Sequence, residues 1–353
     1  MNFNKLILAN AKIIDALKLL DQTALKLLVV VDESSKLKGT CSDGDIRRLL
    51  LKGASLQDTI EDGFTKEPIT VSSNEFSEES LISVCKENHI FGIPIINAEN
   101  IVIDFFSYEK GLITDPVNEN SSYALPPVVI MCGGKGTRLK PISDIFPKPL
   151  IPINGKPMIE YVMEYFSSHG ANKFYLVVNY KSELIKAYFN GNAQNYNIEF
   201  IQEPKYMGTA GGLSLIDNIS SDDLIISNSD CLLKANLNDA LKQHQETKSD
   251  LTVVTSIKHH QVPYGVVQYT NGGLISKIDE KPEFSFPMNT GVYIAKKNIL
   301  DYVQNKEQFH MTDLIKILID KQKKVACYFI NEKEFIDFGQ WNEYKKAMKL
   351  FEK

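Results

Sequence analysis

The sequence predicts an α/β protein in which a duplicated N-terminal unit precedes a larger domain whose strands end in ligand-binding loops. Three observations carry that expectation. Residues 13–50 and 78–105 read as one helix–strand–turn–strand unit written twice. The apolar run Val128–Cys132, a buried strand by its length and composition, flows directly into a glycine-rich loop. Between them, residues 114–127 lose all periodicity to polar turn formers and prolines. The predicted boundaries are two halves at 1–60 and 61–113, a linker at 114–126 and a domain over 127–353. With 353 residues, 43% of them hydrophobic, the chain can bury two or three cores.

In the first copy the pattern predicts a helix at Ile13–Leu20 and a strand at Leu27–Val31. A turn at Asp32–Ser35 follows, then a second strand running through Gly39–Asp45 into a helix, Ile46–Leu50. The second copy repeats the order, with a helix at Glu78–Asn88 and strands at Gly92–Ile96 and Ile101–Phe105. Ser42 and Asp45 fall where strand gives way to helix, so their side chains can cap that helix. The same groups can hydrogen-bond a ribose whose phosphate sits at the positive helix terminus. The run Gly39-Thr40-Cys41-Ser42-Asp43-Gly44-Asp45-Ile46-Arg47-Arg48 resembles a CBS domain, and the repeat a CBS pair. That resemblance implies a regulatory nucleotide held by Ser42 and Asp45. The second copy reads Ser107-Tyr108-Glu109-Lys110, with Lys where Asp is expected, so no matching second site is predicted. Helix capping in a dimerisation scaffold is the competing reading of the first.

Downstream, Gly133-Gly134-Lys135-Gly136-Thr137-Arg138-Leu139 follows the strand, then Pro141 and Pro147-Lys148-Pro149-Leu150. Glycines there let the backbone turn sharply, and successive N–H groups can form an anion-binding nest. Arg138 and Lys148 add fixed positive charge, which suits a triphosphate. The string is neither a Walker loop nor a dinucleotide fingerprint. With Gly155-Lys156-Pro157-Met158 it resembles the sugar-1-phosphate nucleotidyltransferases, and further segments follow in that family's order. These are Glu203-Pro204 before Gly208-Thr209-Ala210-Gly211-Gly212, Asn228-Ser229-Asp230, Tyr264-Gly265-Val266-Val267, Glu280-Lys281-Pro282, Asn289-Thr290-Gly291 and Phe335-Ile336-Asp337-Phe338-Gly339.

The resemblance implies a Rossmann-like domain with a mixed central sheet. It places Gly133, Gly134, Gly136, Thr137 and Gly208 on the nucleotide, and Arg138 and Lys148 in catalysis. Asp230 and Asp337 become ligands of Mg²⁺. Gly265, Glu280, Lys281, Asn289 and Gly291 face the sugar phosphate. The implied reaction joins a nucleoside triphosphate, GTP by the Gly-Thr-Ala-Gly and Asn-Ser-Asp segments, to a sugar 1-phosphate. A CBS pair ahead of such a domain points to glucosamine 1-phosphate and to GDP-sugars for surface glycans, including legionaminic acid. Mannose- or heptose-1-phosphate guanylyltransferase, or another NDP-sugar pyrophosphorylase, is the alternative; a non-catalytic nucleotide-sugar sensor is a third.

Composition bounds the partners. A net charge of −5 argues against broad electrostatic binding of nucleic acid or membrane. Five scattered cysteines without a C-x-x-C pair suit a reducing cytoplasm and predict neither zinc nor disulfides. The opening Met1–Lys5 does not read as a signal peptide, and no run of 18 apolar residues predicts a membrane span. His259-His260 reads as surface loop. A homo-oligomer is expected.

Overall fold

The computed structural model describes residues 5–23, 27–72, 78–88, 90–107, 125–192, 196–217, 219–303 and 308–350. The predicted linker up to residue 124, and Tyr108-Glu109-Lys110 of the second copy, lie outside them. The chain forms two compact units, Met1–Asp115 with Lys258–Phe286 and Pro116–Ile257 with Pro287–Lys353.

The duplication is plain in the first unit. Strands β1 (Leu6–Leu8), β2 (Leu27–Val31) and β3 (Leu37–Ser42) carry helices α1 (Ile13–Thr23) and α2 (Asp43–Leu51). Strands β4 (Val71–Ser72), β5 (Gly92–Ile96) and β6 (Val102–Ser107) carry α3 (Glu78–Glu87). In each half the first strand runs parallel to the second and the second antiparallel to the third. Both hairpins shift register at the equivalent step, Val30/Val31 and Ile95/Ile96. The halves share a core in which Val29, Val31 and Leu37 meet Val102, so neither buries its apolar face alone.

Ser42 caps α2. Its hydroxyl accepts from the Asp45 amide at 3.2 Å and donates to Asp45 Oδ2 at 2.7 Å, while the Ser42 amide donates to the same oxygen at 2.7 Å. Arg48 pairs with the remaining Asp45 oxygen. Both residues thus have a structural occupation.

The second unit is a three-layer sandwich. Strand β7 (Val128–Met131) leads through α4 (Ile142–Ile145), the short strands β8 (Pro152–Ile153) and β9 (Lys156–Pro157), and α5 (Met158–Ser168). Then come β10 (Lys173–Val178), α6 (Ser182–Asn192), β11 (Asn197–Gln202), β12 (Asp223–Asn228), β13 (Cys231–Leu233), α7 (Leu237–Glu246) and β14 (Leu251–Gln261). The hairpin β15 (Val266–Tyr269) and β16 (Ile275–Asp279), which belongs to the first unit, interrupts before the long β17 (Glu283–Lys296). Helix α8 (Met311–Asp320), β18 (Val325–Ile330), β19 (Phe335–Asp337) and α9 (Trp341–Leu350) complete it. His259 and His260 lie on β14 rather than in a loop, and His259 Nδ1 meets Ser285 Oγ at 2.6 Å.

The central sheet runs β11-β10-β7-β12-β17-β14-β18 and is mixed: β11, β10, β7 and β12 are parallel, and β17 is antiparallel to β12. Side chains alternate across β7. Val128 and Ile130 pack with α5 and α6 through Val162, Phe166 and Ile185, while Val129 and Met131 pack with α8 through Leu314 and Leu318. Among the described residues no helix is long and apolar enough to cross a membrane.

Candidate active site

After β7 the chain winds outward to β10 and β11, then returns to place β12 on the other side of β7. That reversal opens a crevice at the carboxyl ends of β7 and β12, where open α/β sheets bind ligands. The segments following β7, β11 and β12 all emerge at this edge: Gly133–Leu139, Glu203 and Asn228–Asp230.

The glycine loop is anchored at its far end. Leu139 is buried in a cluster with Ile151, Ile153, Leu232 and Phe338, which ties the loop to β13, directly after Asp230, and to the residue following Asp337. Gly136 has φ +65°, and a Cβ there would lie 2.9 Å from Lys148 Cβ, so the turn and the lysine stem fit only without a side chain. A Cβ on Gly134 would meet nothing within 4 Å, so this part of the loop faces open space. Thr137 and Arg138 are exposed on the following turn, and Arg138 makes no ion pair among the described residues. Ser143, 1% exposed beside Gly136, has a hydroxyl without a partner.

Asp230 and Asp337 come together although 106 residues lie between them in the sequence. β13 pairs antiparallel with β19, putting Cys231 opposite Asp337, and the Phe338 amide donates to the Asp230 carbonyl at 2.9 Å. Gly339 packs against both carboxylates and donates its amide to Asp337 Oδ1 at 2.7 Å. The Lys148 ammonium closes the group by pairing with Asp230. Burial pushes the Asp337 carboxyl above its usual range, and the negative charge of Asp230 adds to the effect. For Lys148 burial pulls downward, but Asp230 more than compensates and the net shift is upward. Among the described residues no three His, Cys, Asp or Glu side chains converge on a metal position. Two adjacent carboxylates nevertheless fit Mg²⁺, which keeps few protein ligands and completes its shell with substrate phosphate and water.

The Gly208–Gly212 loop is held differently. Phe309, just before α8, accepts from the amides of Ala210 at 3.0 Å and Gly211 at 3.1 Å, and the Thr209 hydroxyl accepts from the Met311 amide at 3.0 Å. Those donors are spent on the fold, so the loop offers a tight, uncharged surface suited to a flat base more than to phosphate.

Glu203 had no role in the sequence reading. It lies at the end of β11, 2% exposed, and neither carboxylate oxygen has a hydrogen-bond partner. A Cβ on Gly133 would fall 2.5 Å from its Oε2, and one on Gly212 2.7 Å from its Oε1, so both glycine loops close over it. Burial raises its pKa from 4.5 to about 7, with the nearby Met207 amide pulling part of the way back. An acidic residue directly after a strand and a few positions before a glycine loop was the available signal.

Asn289 and Gly291 join the same unit. Asn289 donates to the Tyr293 hydroxyl at 2.7 Å and accepts from the Gly291 amide at 2.9 Å. Gly291 packs against Asn228, and its Cβ would lie 3.3 Å from Cys231 Sγ, next to Asp230. Gly265, Glu280 and Lys281 sit on the β15–β16 hairpin of the other unit, where a Cβ on Gly265 would lie 3.0 Å from Glu280 Oε2.

The chain is 30% identical over 217 residues to the D-glycero-alpha-D-manno-heptose 1-phosphate guanylyltransferase of Campylobacter jejuni, covering 61% of this chain and 96% of that one. It is 29% identical to the UTP–glucose-1-phosphate uridylyltransferase of Synechocystis, covering 63% of this chain, and it spans only 62% of that relative's length. The crystal structure of HddC from Yersinia pseudotuberculosis superposes with a TM-score of 0.53 at 27% identity, over 65% of this chain and all of that one. HddC has also been solved complexed with GMP-PN, matching at a TM-score of 0.51. Residues 127–353 match the nucleotidyl transferase family, and the chain belongs to that enzyme family.

Proposed function

We propose that the protein transfers a nucleoside monophosphate from a nucleoside triphosphate to a sugar 1-phosphate and releases pyrophosphate. The observation that carries this reading is the meeting of the glycine loop, Lys148 and the Asp230–Asp337 pair at one sheet edge. A sugar-phosphate oxygen attacks the α-phosphorus, a new P–O bond forms, and the bond to the bridging oxygen breaks as pyrophosphate leaves. A phosphate monoester is ionised at neutral pH and needs no general base. The residues therefore position reactants and neutralise charge. The Gly133–Thr137 backbone cradles the phosphates, and the exposed Arg138 steadies the departing pyrophosphate. Asp230 and Asp337 would hold Mg²⁺, which when bound would supply positive charge to the phosphates. Asn289 and Gly291, beside Asn228 and Cys231, serve the sugar phosphate.

GTP is the proposed nucleotide. A guanine edge presents two adjacent N–H donors, and Glu203 is a buried carboxylate in want of donors beneath both loops. The guanylyltransferase relatives support the same choice. For the sugar, glucosamine 1-phosphate follows from the family resemblance, with heptose and mannose 1-phosphates as rivals, and a GDP-sugar for surface glycan or legionaminic acid as the product's use. Pyrophosphate release from GTP, UTP, CTP and dTTP against these three sugar phosphates tests the reading. No release from any pair would remove the transferase assignment, and release from UTP but not GTP would remove the guanine assignment.

A further inference from the structure

We infer that Lys148 is a resident counter-cation for the carboxylate pair, so that a divalent ion binds well only once a nucleotide has drawn the lysine away. The inference rests on the assignment of Asp230 and Asp337 as metal ligands. Asp230 is nearly buried, its side chain 9% exposed, and its charge partner is the Lys148 ammonium. Asp337 lies across the β13–β19 pair, with both carboxylates against Gly339. A buried and a half-buried carboxylate side by side repel each other and demand positive charge. One ammonium meets half of that demand and occupies one of the two Asp230 carboxylate oxygens. A divalent ion brings two charges and meets it in full, yet on arriving alone it must displace the lysine and leave a half-buried ammonium unpaired.

Nucleotide changes this balance. The Lys148 stem packs directly under the glycine turn, where a Cβ on Gly136 would touch its Cβ and Cγ at 2.9 and 3.4 Å. An ammonium on a flexible four-carbon stem rooted there can exchange the Asp230 carboxylate for a phosphate held by the same loop. The exchange keeps every charge paired: metal on the carboxylates, lysine on the phosphate. It orders the site, with the metal entering alongside the nucleotide, and spares the empty enzyme from stray divalent ions.

The test uses Mn²⁺ as a spectroscopic probe with the full chain and no nucleotide, free ion being read by electron paramagnetic resonance. Wild type and K148R, both of which keep a cation beside Asp230, should bind Mn²⁺ weakly. K148M should bind it at least tenfold more tightly, and Mn²⁺ should raise its melting temperature by more than it raises that of wild type. K148Q, which keeps a hydrogen bond to Asp230, stands in if K148M does not fold, with tighter binding again expected. Equal or weaker Mn²⁺ affinity in the folded Lys148 variant overturns the inference. Adding D230N to that variant should abolish the gain. If tight binding survives D230N, Asp230 is not a ligand and the underlying metal assignment falls instead.

Discussion

Replacing Glu203 by Gln should remove a pH dependence of stability that originates at one buried carboxyl. In the fold its pKa is about 7, against 4.5 for the free side chain. At pH 4 the group is protonated in both folded and unfolded chains and contributes no difference. Between pH 4.5 and 7 the unfolded chain loses its proton while the folded one keeps it, so stability falls as pH rises. Above pH 7 the folded carboxylate is ionised with only the nearby Met207 amide to offset its burial, and the full penalty is present. A shift from 4.5 to about 7, at 1.36 kcal/mol per unit, amounts to roughly 3 kcal/mol. E203Q keeps the shape and removes the charge, so its advantage over wild type should grow from near zero at pH 4.5 to about 3 kcal/mol at pH 8. Urea titration followed by tryptophan fluorescence suits the measurement, because the single tryptophan, Trp341, lies in the same unit as Glu203. A difference between the two proteins that stays constant from pH 5 to 8 would refute the reasoning. GTP should weaken the dependence by giving the carboxylate donors, and E203Q should discriminate less between GTP and UTP.

Three other outcomes are expected. D230A and R138A should each lose turnover by on the order of a hundredfold or more while keeping the fold by circular dichroism; normal pyrophosphate release from D230A would sink the metal assignment. G208A puts a Cβ at φ +87° and within 2.9 Å of the Phe309 carbonyl carbon, so it should lose about 2 kcal/mol of stability and raise KM for the nucleotide more than it lowers kcat. S42A removes the α2 cap and should cost about 1 kcal/mol. If the same residues hold a regulatory nucleotide, AMP, ATP or GTP will raise the melting temperature of the full chain and D45A will abolish the rise; identical shifts in both proteins leave Ser42 and Asp45 as a cap alone.

The elements that were legible in the sequence are those with strong local patterns. The LLVVV and PVVIMC runs, at residues 27–31 and 127–132, are too apolar and too short to be anything but buried strands, and β2 and β7 form there. The duplicated unit was legible because each copy carries the same turn chemistry, and the two halves repeat even the register shift in their hairpins. His259-His260 reads as surface loop because no third metal ligand lies at a useful spacing, whereas β14 runs on past the end of its buried stretch and includes both. No local pattern could show that the 258–286 segment groups with the N-terminal unit, since that depends on packing between distant stretches.

The site divides along the same line. Gly133–Leu139 and Lys148 are local, and a glycine turn beside fixed cations states its chemistry in seven to sixteen consecutive positions. Asp230 and Asp337 needed the family's motif order to be linked, because only the pairing of β13 with β19 brings them together. Glu203 was beyond reach for a different reason. Its identity is ordinary after a strand, and what sets it apart is burial with only the Met207 amide near its carboxylate, a property of the fold and not of residue type. An unpartnered buried carboxylate is destabilising, and folding alone gives no reason to keep one. The glycines that crowd it, Gly133 and Gly212, belong to the two loops assigned to the nucleotide. The stability lost at Glu203 is thus best understood as an acceptor held ready for a ligand that brings its own donors, which is why the E203Q variant should gain stability and lose discrimination together.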